Sequence, residues 1–148
     1  MWFAARGGIS VYDGAEWKSY AVADGLPSLS FFKNKKDEQG TIWTLPYPPT
    51  ISVSYCNGTK RVTLPKPVSK DEPDNFTSFE ITFINNQRHI AVGTSNMRLF
   101  LYRNKQWQQI TPANGLLSDQ VNAIAACNKQ FYVAGVSLLL KRIVLIIV

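Results

Sequence analysis

Glu16-Trp17-Lys18-Ser19-Tyr20-Ala21-Val22-Ala23-Asp24-Gly25-Leu26-Pro27-Ser28 returns ninety positions later as Gln106-Trp107-Gln108-Gln109-Ile110-Thr111-Pro112-Ala113-Asn114-Gly115-Leu116-Leu117-Ser118. Trp107 minus Trp17, Tyr102 minus Tyr12 and Asn114 minus Asp24 all equal 90. A spacing held across an aromatic, a turn and the strand that follows marks an array of repeated units, and internal repetition decides the fold before any single residue can decide a function. A weaker copy lies between the two. Ile42-Trp43-Thr44-Leu45 matches Trp2-Phe3-Ala4-Ala5 at 43 − 2 = 41, and Ile90-Ala91-Val92-Gly93-Thr94 and Tyr132-Val133-Ala134-Gly135 extend the series at 90 − 43 = 47 and 132 − 90 = 42. Periods of roughly 40 to 50 residues are those of four-stranded propeller blades.

Each unit reads as short runs rich in Val, Ile, Thr, Phe, Tyr or Trp, bounded by Gly, Asn, Asp or Pro, which is the pattern of strands joined by tight turns. In the second unit the runs are Leu29 to Lys33, Thr41 to Leu45, Thr50 to Tyr55 and Arg61 to Leu64, with turns at Asp37-Glu38-Gln39-Gly40 and Cys56-Asn57-Gly58. The third supplies Phe76 to Ile84, His89 to Thr94, Arg98 to Tyr102 and Trp107 to Thr111. The fourth supplies Val121 to Cys127, Phe131 to Ala134, Leu138 to Ile143 and a final apolar stretch, Val144 to Val148. The first unit has only strands b, c and d, at Trp2 to Ala5, Ile9 to Tyr12 and Glu16 to Ala21. Apolar residues at helical spacing appear nowhere.

The reading is therefore an all-β chain of propeller blades, each of four antiparallel strands, forming a single partial propeller domain over 1–148 with blades at approximately 1–23, 24–68, 69–113 and 114–148. A blade buries its faces only against neighbours, so an incomplete ring of three to four blades must close on itself or be completed by a homodimer or by missing blades.

Composition fits this expectation. The chain is 45% hydrophobic and 12% aromatic, ample for a core at 148 residues. The net charge of +6 comes largely from Lys33-Asn34-Lys35-Lys36 and from Lys60, Arg61, Lys66 and Lys70. These cations scatter over turns and edges without interleaved aromatics, which argues for a solvated surface and against nucleic-acid binding. Cys56 and Cys127 read as free thiols, since neither number nor spacing suggests a disulfide framework or a metal site. No signal peptide is expected, because Trp2 to Arg6 reads as blade strand, and the charge-free run near the carboxyl end is too short for a bilayer span.

Gly8-Ile9-Ser10-Val11-Tyr12-Asp13-Gly14, Trp17 to Tyr20, Asp24-Gly25-Leu26-Pro27-Ser28 and Asp37-Glu38-Gln39-Gly40-Thr41-Ile42-Trp43 together resemble the two-component regulator propeller repeat. The resemblance covers nearly the whole chain; the second unit departs from it with the proline-rich Pro65 to Pro73. It implies an extracytoplasmic, periplasmic sensor portion of a hybrid two-component kinase, commonly one responding to polysaccharide fragments. Nothing in the sequence resembles a kinase core or receiver.

Catalysis is the minority reading, as a glycosidase or lyase fragment. The sole histidine, His89, opens a strand, and Asp13, Asp24, Asp37, Glu38, Asp71, Glu72 and Asp74 lie mainly in turns, where aspartate is favoured for its own backbone bonds. No phosphate-cradling glycine loop, metal motif or cofactor motif occurs. Recognition is expected on the face formed by the b–c and d–a connections, which gathers Arg6-Gly7-Gly8, Pro46 to Pro49, Ser95-Asn96, Asp24 to Ser28, Pro65 to Pro73 and Asn114 to Ser118. For an oligosaccharide, Tyr47 would stack on a pyranose while Arg6, Asn96, Asp24 and Asn114 supply hydrogen bonds. Asp24 and Asn114 equally read as turn-formers at equivalent repeat positions, and Trp17, Trp43 and Trp107 read as blade packing. A protein-binding scaffold is the alternative.

Overall fold

Four antiparallel meanders account for the strands of the described residues. The structure, a computed structural model, describes residues 1–24, 26, 28, 30–46, 53–56, 61–64, 75–96, 99–116, 118–135 and 143–146. The chain divides into two compact units, Met1–Val68 and Ser69–Val148.

The first unit holds two meanders. Strands β1 (Trp2–Ala5), β2 (Gly8–Tyr12) and β3 (Trp17–Tyr20) make one, and β4 (Phe31–Lys36), β5 (Ile42–Pro46), β6 (Ser54–Cys56) and β7 (Arg61–Thr63) the other. Gly8 opens β2 at φ 139°, and a Cβ there would sit 2.0 Å from the Tyr20 carbonyl oxygen. Only glycine lets β2 approach β3 so closely. The β4–β5 turn is organised by Asp37, which is buried. Its Oδ1 accepts the Gln39 and Thr41 backbone N–H groups at 2.9 Å each, and its Oδ2 accepts the indole N–H of Trp43 at 2.8 Å. That bond fixes a tryptophan with 1% exposure, whose ring lies 4.7 Å from that of Tyr55.

The second unit holds β8 (Phe76–Ile84), β9 (Gln87–Thr94), β10 (Leu99–Arg103) and β11 (Gln106–Ile110), followed by β12 (Val121–Cys127), β13 (Gln130–Gly135) and β14 (Ile143–Ile146). Three of its hairpins turn on two residues that both have positive φ: Asn85 and Asn86, Asn104 and Lys105, Asn128 and Lys129. Such paired left-handed residues match the right-handed twist of the strands they join, and asparagine tolerates the conformation best after glycine.

The ninety-residue repeat is a repeat of packing as well as of sequence. In the first unit Ile9, Leu26 and Phe31 form a buried cluster with Tyr20 packed against it. In the second, Leu99, Leu116 and Val121 do so with Ile110. Each pair differs by 90: 99 − 9, 116 − 26, 121 − 31 and 110 − 20. Within each unit, one face of the first meander is therefore laid against the first strand of the second. Gly93 permits the close approach in the second unit, since a Cβ there would meet Val121 Cγ1 at 2.4 Å. Burying a side chain such as Phe131 or Val121 at these seams contributes on the order of 2 kcal/mol.

Three expectations need correction. First, β4, β8 and β12 each begin with a one-residue register shift, between Phe31 and Lys33, Phe76 and Ser78, and Val121 and Ala123. Aligned on this shared bulge, Ala91 and not Ile90 is level with Trp43 and Tyr132, giving 91 − 43 = 48 and 132 − 91 = 41. A slip of one residue exchanges the two faces of a strand, so the burial pattern rests on this register. Second, the first strand of the second blade extends through Lys36, so the lysine run is part of the strand. Third, the third strand of the last blade is Ile143–Ile146, paired with Phe131–Ala134, in place of Leu138 to Ile143; it overlaps the final apolar stretch, Val144 to Val148. The stretch carries no Asn-Gly or Asp-Gly turn to mark a boundary, and the strand starts just after the Lys141-Arg142 pair that interrupts the apolar run.

Candidate functional site: the loop ends of the blades

In an antiparallel meander the connections emerge alternately at the two ends of the sheet, so residues far apart in sequence collect at one end. In the first unit the β1–β2 connection carries Arg6, and the β3–β4 connection carries Asp24 and Ser28. The two meet through an antiparallel bridge between Arg6 and Ser30. Arg6 is exposed. Asp24 ends the single 3-10 turn Val22–Asp24, and its Oδ2 accepts the Ala21 backbone N–H at 2.8 Å. Ser28 Oγ accepts the Ser30 N–H at 3.1 Å.

The second unit repeats this construction. Asn114 ends the 3-10 turn Pro112–Asn114; its side-chain oxygen accepts the Thr111 N–H, and its Nδ2 donates to Gln109 O at 3.4 Å. Ser118 Oγ accepts the Gln120 N–H at 3.1 Å. Asn96 lies in the β9–β10 connection at the same end, beside Ser95, whose N–H donates to Asn75 O at 3.0 Å. Asp24 and Asn114 thus hold their own turns with the same backbone bond at the same repeat position. Arg6 and Asn96 are also 90 apart, 96 − 6, yet differ in chemistry. The b–c connection is a place where the repeat does not dictate the residue. Tyr47 and the Pro65 to Pro73 segment lie outside the described residues.

At the opposite end of the first unit is a feature that the sequence did not single out. A cleft of about 240 Å³ is lined by Met1, Trp2, Asn34, Lys35, Lys36 and Ile42. Lys35 is held below the ordinary lysine pKa by partial burial and then by Lys33 beside it. The Asn34 amide nitrogen is buried there without a hydrogen-bond partner. The three lysines of the run are exposed, as expected of a solvated surface, and the cleft arises because β4 lies beside β1, which the run itself does not mark.

His89 sits within the sheet. It is buried, opposite Thr82 in the β8–β9 register, and its Nδ1 has no hydrogen-bond partner. Burial, and then the charge of Arg103, push its pKa below the usual histidine value. Asp13 is likewise bound to its own turn: Oδ1 accepts the Ala15 and Glu16 N–H groups at 2.8 and 2.9 Å, and those bonds lower its pKa. Cys127 is a free, exposed thiol. Among the described residues no group of His, Cys, Asp and Glu gathers at metal-binding distance, and no helix is long and apolar enough to cross a membrane.

No family model and no curated protein matches the sequence. Solved structures do. The extracellular domain of a protein assigned to a hybrid two-component system in B. thetaiotaomicron superposes on 90% of this chain with a TM-score of 0.66 at 23% identity. The chain shares its propeller fold. A second neighbour, the extracellular domain of a protein assigned as a one-component system in the same organism, is 15% identical over 97% of the chain with a TM-score of 0.48. The propeller blades of this chain span 18% and 25% of the lengths of these two neighbours.

Proposed function

We propose that this chain is a non-catalytic, ligand-sensing propeller module of a two-component regulatory system, working outside the cytoplasm and binding a soluble oligosaccharide at the loop end that carries Arg6. The observation that carries the reading is the likeness in fold, across 90% of the chain, to the extracellular domain of a hybrid two-component system. The loop ends supply a rigid frame with exchangeable contacts. Asp24, Asn114, Ser28 and Ser118 spend their side-chain oxygens on the backbone and so fix loop shape. Arg6 stands in a connection where the repeat does not dictate the residue, and it is assigned the contact to the sugar. An exposed guanidinium suits a carboxylate or sulfate on the glycan, through two parallel N–H donors.

The test is a glycan array containing neutral and acidic oligosaccharides, followed by calorimetry on any glycan that binds. Arg6→Ala is expected to weaken binding roughly 10- to 100-fold, the worth of a hydrogen bond to a charged group. Lys35→Ala serves as the comparison. If it abolishes binding while Arg6→Ala leaves it intact, the site is the lysine cleft and the loop-end assignment is wrong. A chain that binds no glycan yet holds a stable protein partner would replace sensing by scaffolding.

A further inference from the structure

The compact unit Ser69–Val148 gathers cations at the turn end of its blades. The Thr77 hydroxyl donates to the Val121 carbonyl oxygen, so β8 and β12 start side by side, and the 85–86 and 128–129 turns that follow them project from a common end. The 104–105 turn joins them there, because alternate connections of a meander share an end. Arg88, Arg103, Lys105 and Lys129 all lie in these turns or within two residues of them, and no carboxylate does. Asp119, an exposed acid of the same unit, stands at the opposite end, just before β12.

Two observations separate this end from an ordinary solvated surface. Lys105 and Lys129 each take the second place of a two-residue turn, with φ of 63° and 62°. Glycine is the favoured residue in that place, and few side chains other than those of Asn and Asp adopt the conformation. A residue kept twice in an unfavourable backbone geometry points to a use for its side chain. The fold, moreover, does not call for positive charge here. Ninety residues earlier Asp13, Gly14 and Ala15 stand where Arg103, Asn104 and Lys105 do, and Asp13 holds that turn with its carboxylate.

Shape and chemistry select the partner. Arg88 and Arg103 are half-buried and held by neighbours, Arg88 over the Phe83 ring at 5.1 Å and Arg103 by Gln108 Oε1 at 2.8 Å. Lys105 and Lys129 are exposed on hairpin crests, beside the exposed amides of Asn104 and Asn128. Such crests are convex. They meet a flat field of phosphates, whereas a threaded peptide or glycan is held in a groove. Lysine offers that field a compact, hydrated point charge with three rotatable donors, which needs no fixed bidentate geometry.

We propose that the 85–86, 104–105 and 128–129 turns form a docking surface for an anionic bilayer, seated on the phosphates of its lipid headgroups, with Lys105 and Lys129 as the principal contacts. The loop end of the same blades, with Asn96 and Asn114, then faces away from the lipid. The inference is independent of the oligosaccharide reading, because it uses the turns and none of the loop connections.

The test is co-sedimentation of the chain with vesicles of phosphatidylcholine alone and of phosphatidylcholine mixed with phosphatidylglycerol, at low and at physiological salt. Binding is expected to the mixed vesicles only, and to weaken as salt rises. One cation near such a surface is worth about 5-fold in affinity, so Lys105→Gly and Lys129→Gly should each weaken binding about 5-fold and the double variant about 30-fold. Both substitutions also relieve a positive-φ backbone, so the thermal unfolding midpoint should hold or rise, which separates a lost contact from a lost fold. Binding to neither vesicle or equally to both, a double variant that binds like the unaltered chain, or capture by soluble dextran sulfate with none by vesicles would each overturn the proposal.

Discussion

Replacing Asp37 by alanine is expected to be among the most damaging single changes to this fold outside its core. The carboxylate receives three N–H groups, two of them buried: the Thr41 backbone and the Trp43 indole. A buried donor stripped of its acceptor costs about 1–3 kcal/mol. Two of them, with the Gln39 N–H able to turn to water, come to about 4 kcal/mol. That is a large part of the 5–15 kcal/mol that holds a typical domain together. With a urea slope of about 2 kcal/mol per molar, the unfolding midpoint should fall by about 2 M. Asp37→Asn separates the contributions. Its remaining oxygen can still accept from Gln39 and Thr41, while its amide meets the indole N–H donor to donor, so about half the loss is expected. Urea titration followed by tryptophan fluorescence reads both variants, because Trp43 is buried and reports directly on the site. The reasoning fails if Asp37→Ala lies within 1 kcal/mol of the unaltered chain, or if a double-mutant cycle with Trp43→Phe returns no coupling.

His89 is the only histidine, which makes its linkage readable. Its folded pKa lies below the unfolded value, so between the two the unfolded chain binds the extra proton and stability rises with pH. The contribution is complete above about 6.5 and declines as pH falls below it; urea midpoints should drop from pH 7 to 5, and His89→Gln should flatten that slope. Gly8→Ala should cost about 3 kcal/mol or more, since it adds a positive-φ penalty to a Cβ 2.0 Å from the Tyr20 oxygen, and thermal unfolding will show whether it does. Asp24→Ala and Asn114→Ala should each lose about 1 kcal/mol of stability, by equal amounts, with glycan affinity unchanged; an affinity loss without a stability loss would make them ligand contacts.

The blades were legible because their signals are local and repeated. Trp17 and Trp107 mark the same strand, and the Asp24-Gly25-Leu26 and Asn114-Gly115-Leu116 segments place a turn-former before a buried leucine twice. Bulges were not legible. An extra residue at Phe32, Thr77 or Asn122 leaves no compositional trace, so the alignment of Ile90 with Trp43 missed by one position and reversed the faces. The β13–β14 connection was equally opaque, because turn position is read from Gly, Asn, Asp and Pro, and 136–148 contains none. Of the candidate contacts, the turn-forming role of Asp24 and Asn114 could be read from their shared repeat position. The lysine cleft could not, since it depends on which strand lies beside β1.

The central claim is that successive repeats stack face to face through the seam that recurs every ninety residues. The most direct measurement is a set of nuclear Overhauser contacts between Val121 methyl protons and the Gly93 α-protons, two positions whose chain separation is 28 but whose atoms the structure brings together. Strong cross-peaks there, with matching ones between Phe31 and Ile9 in the first unit, are the predicted result. Well-resolved spectra with the hairpins intact and no contact across either seam would contradict it.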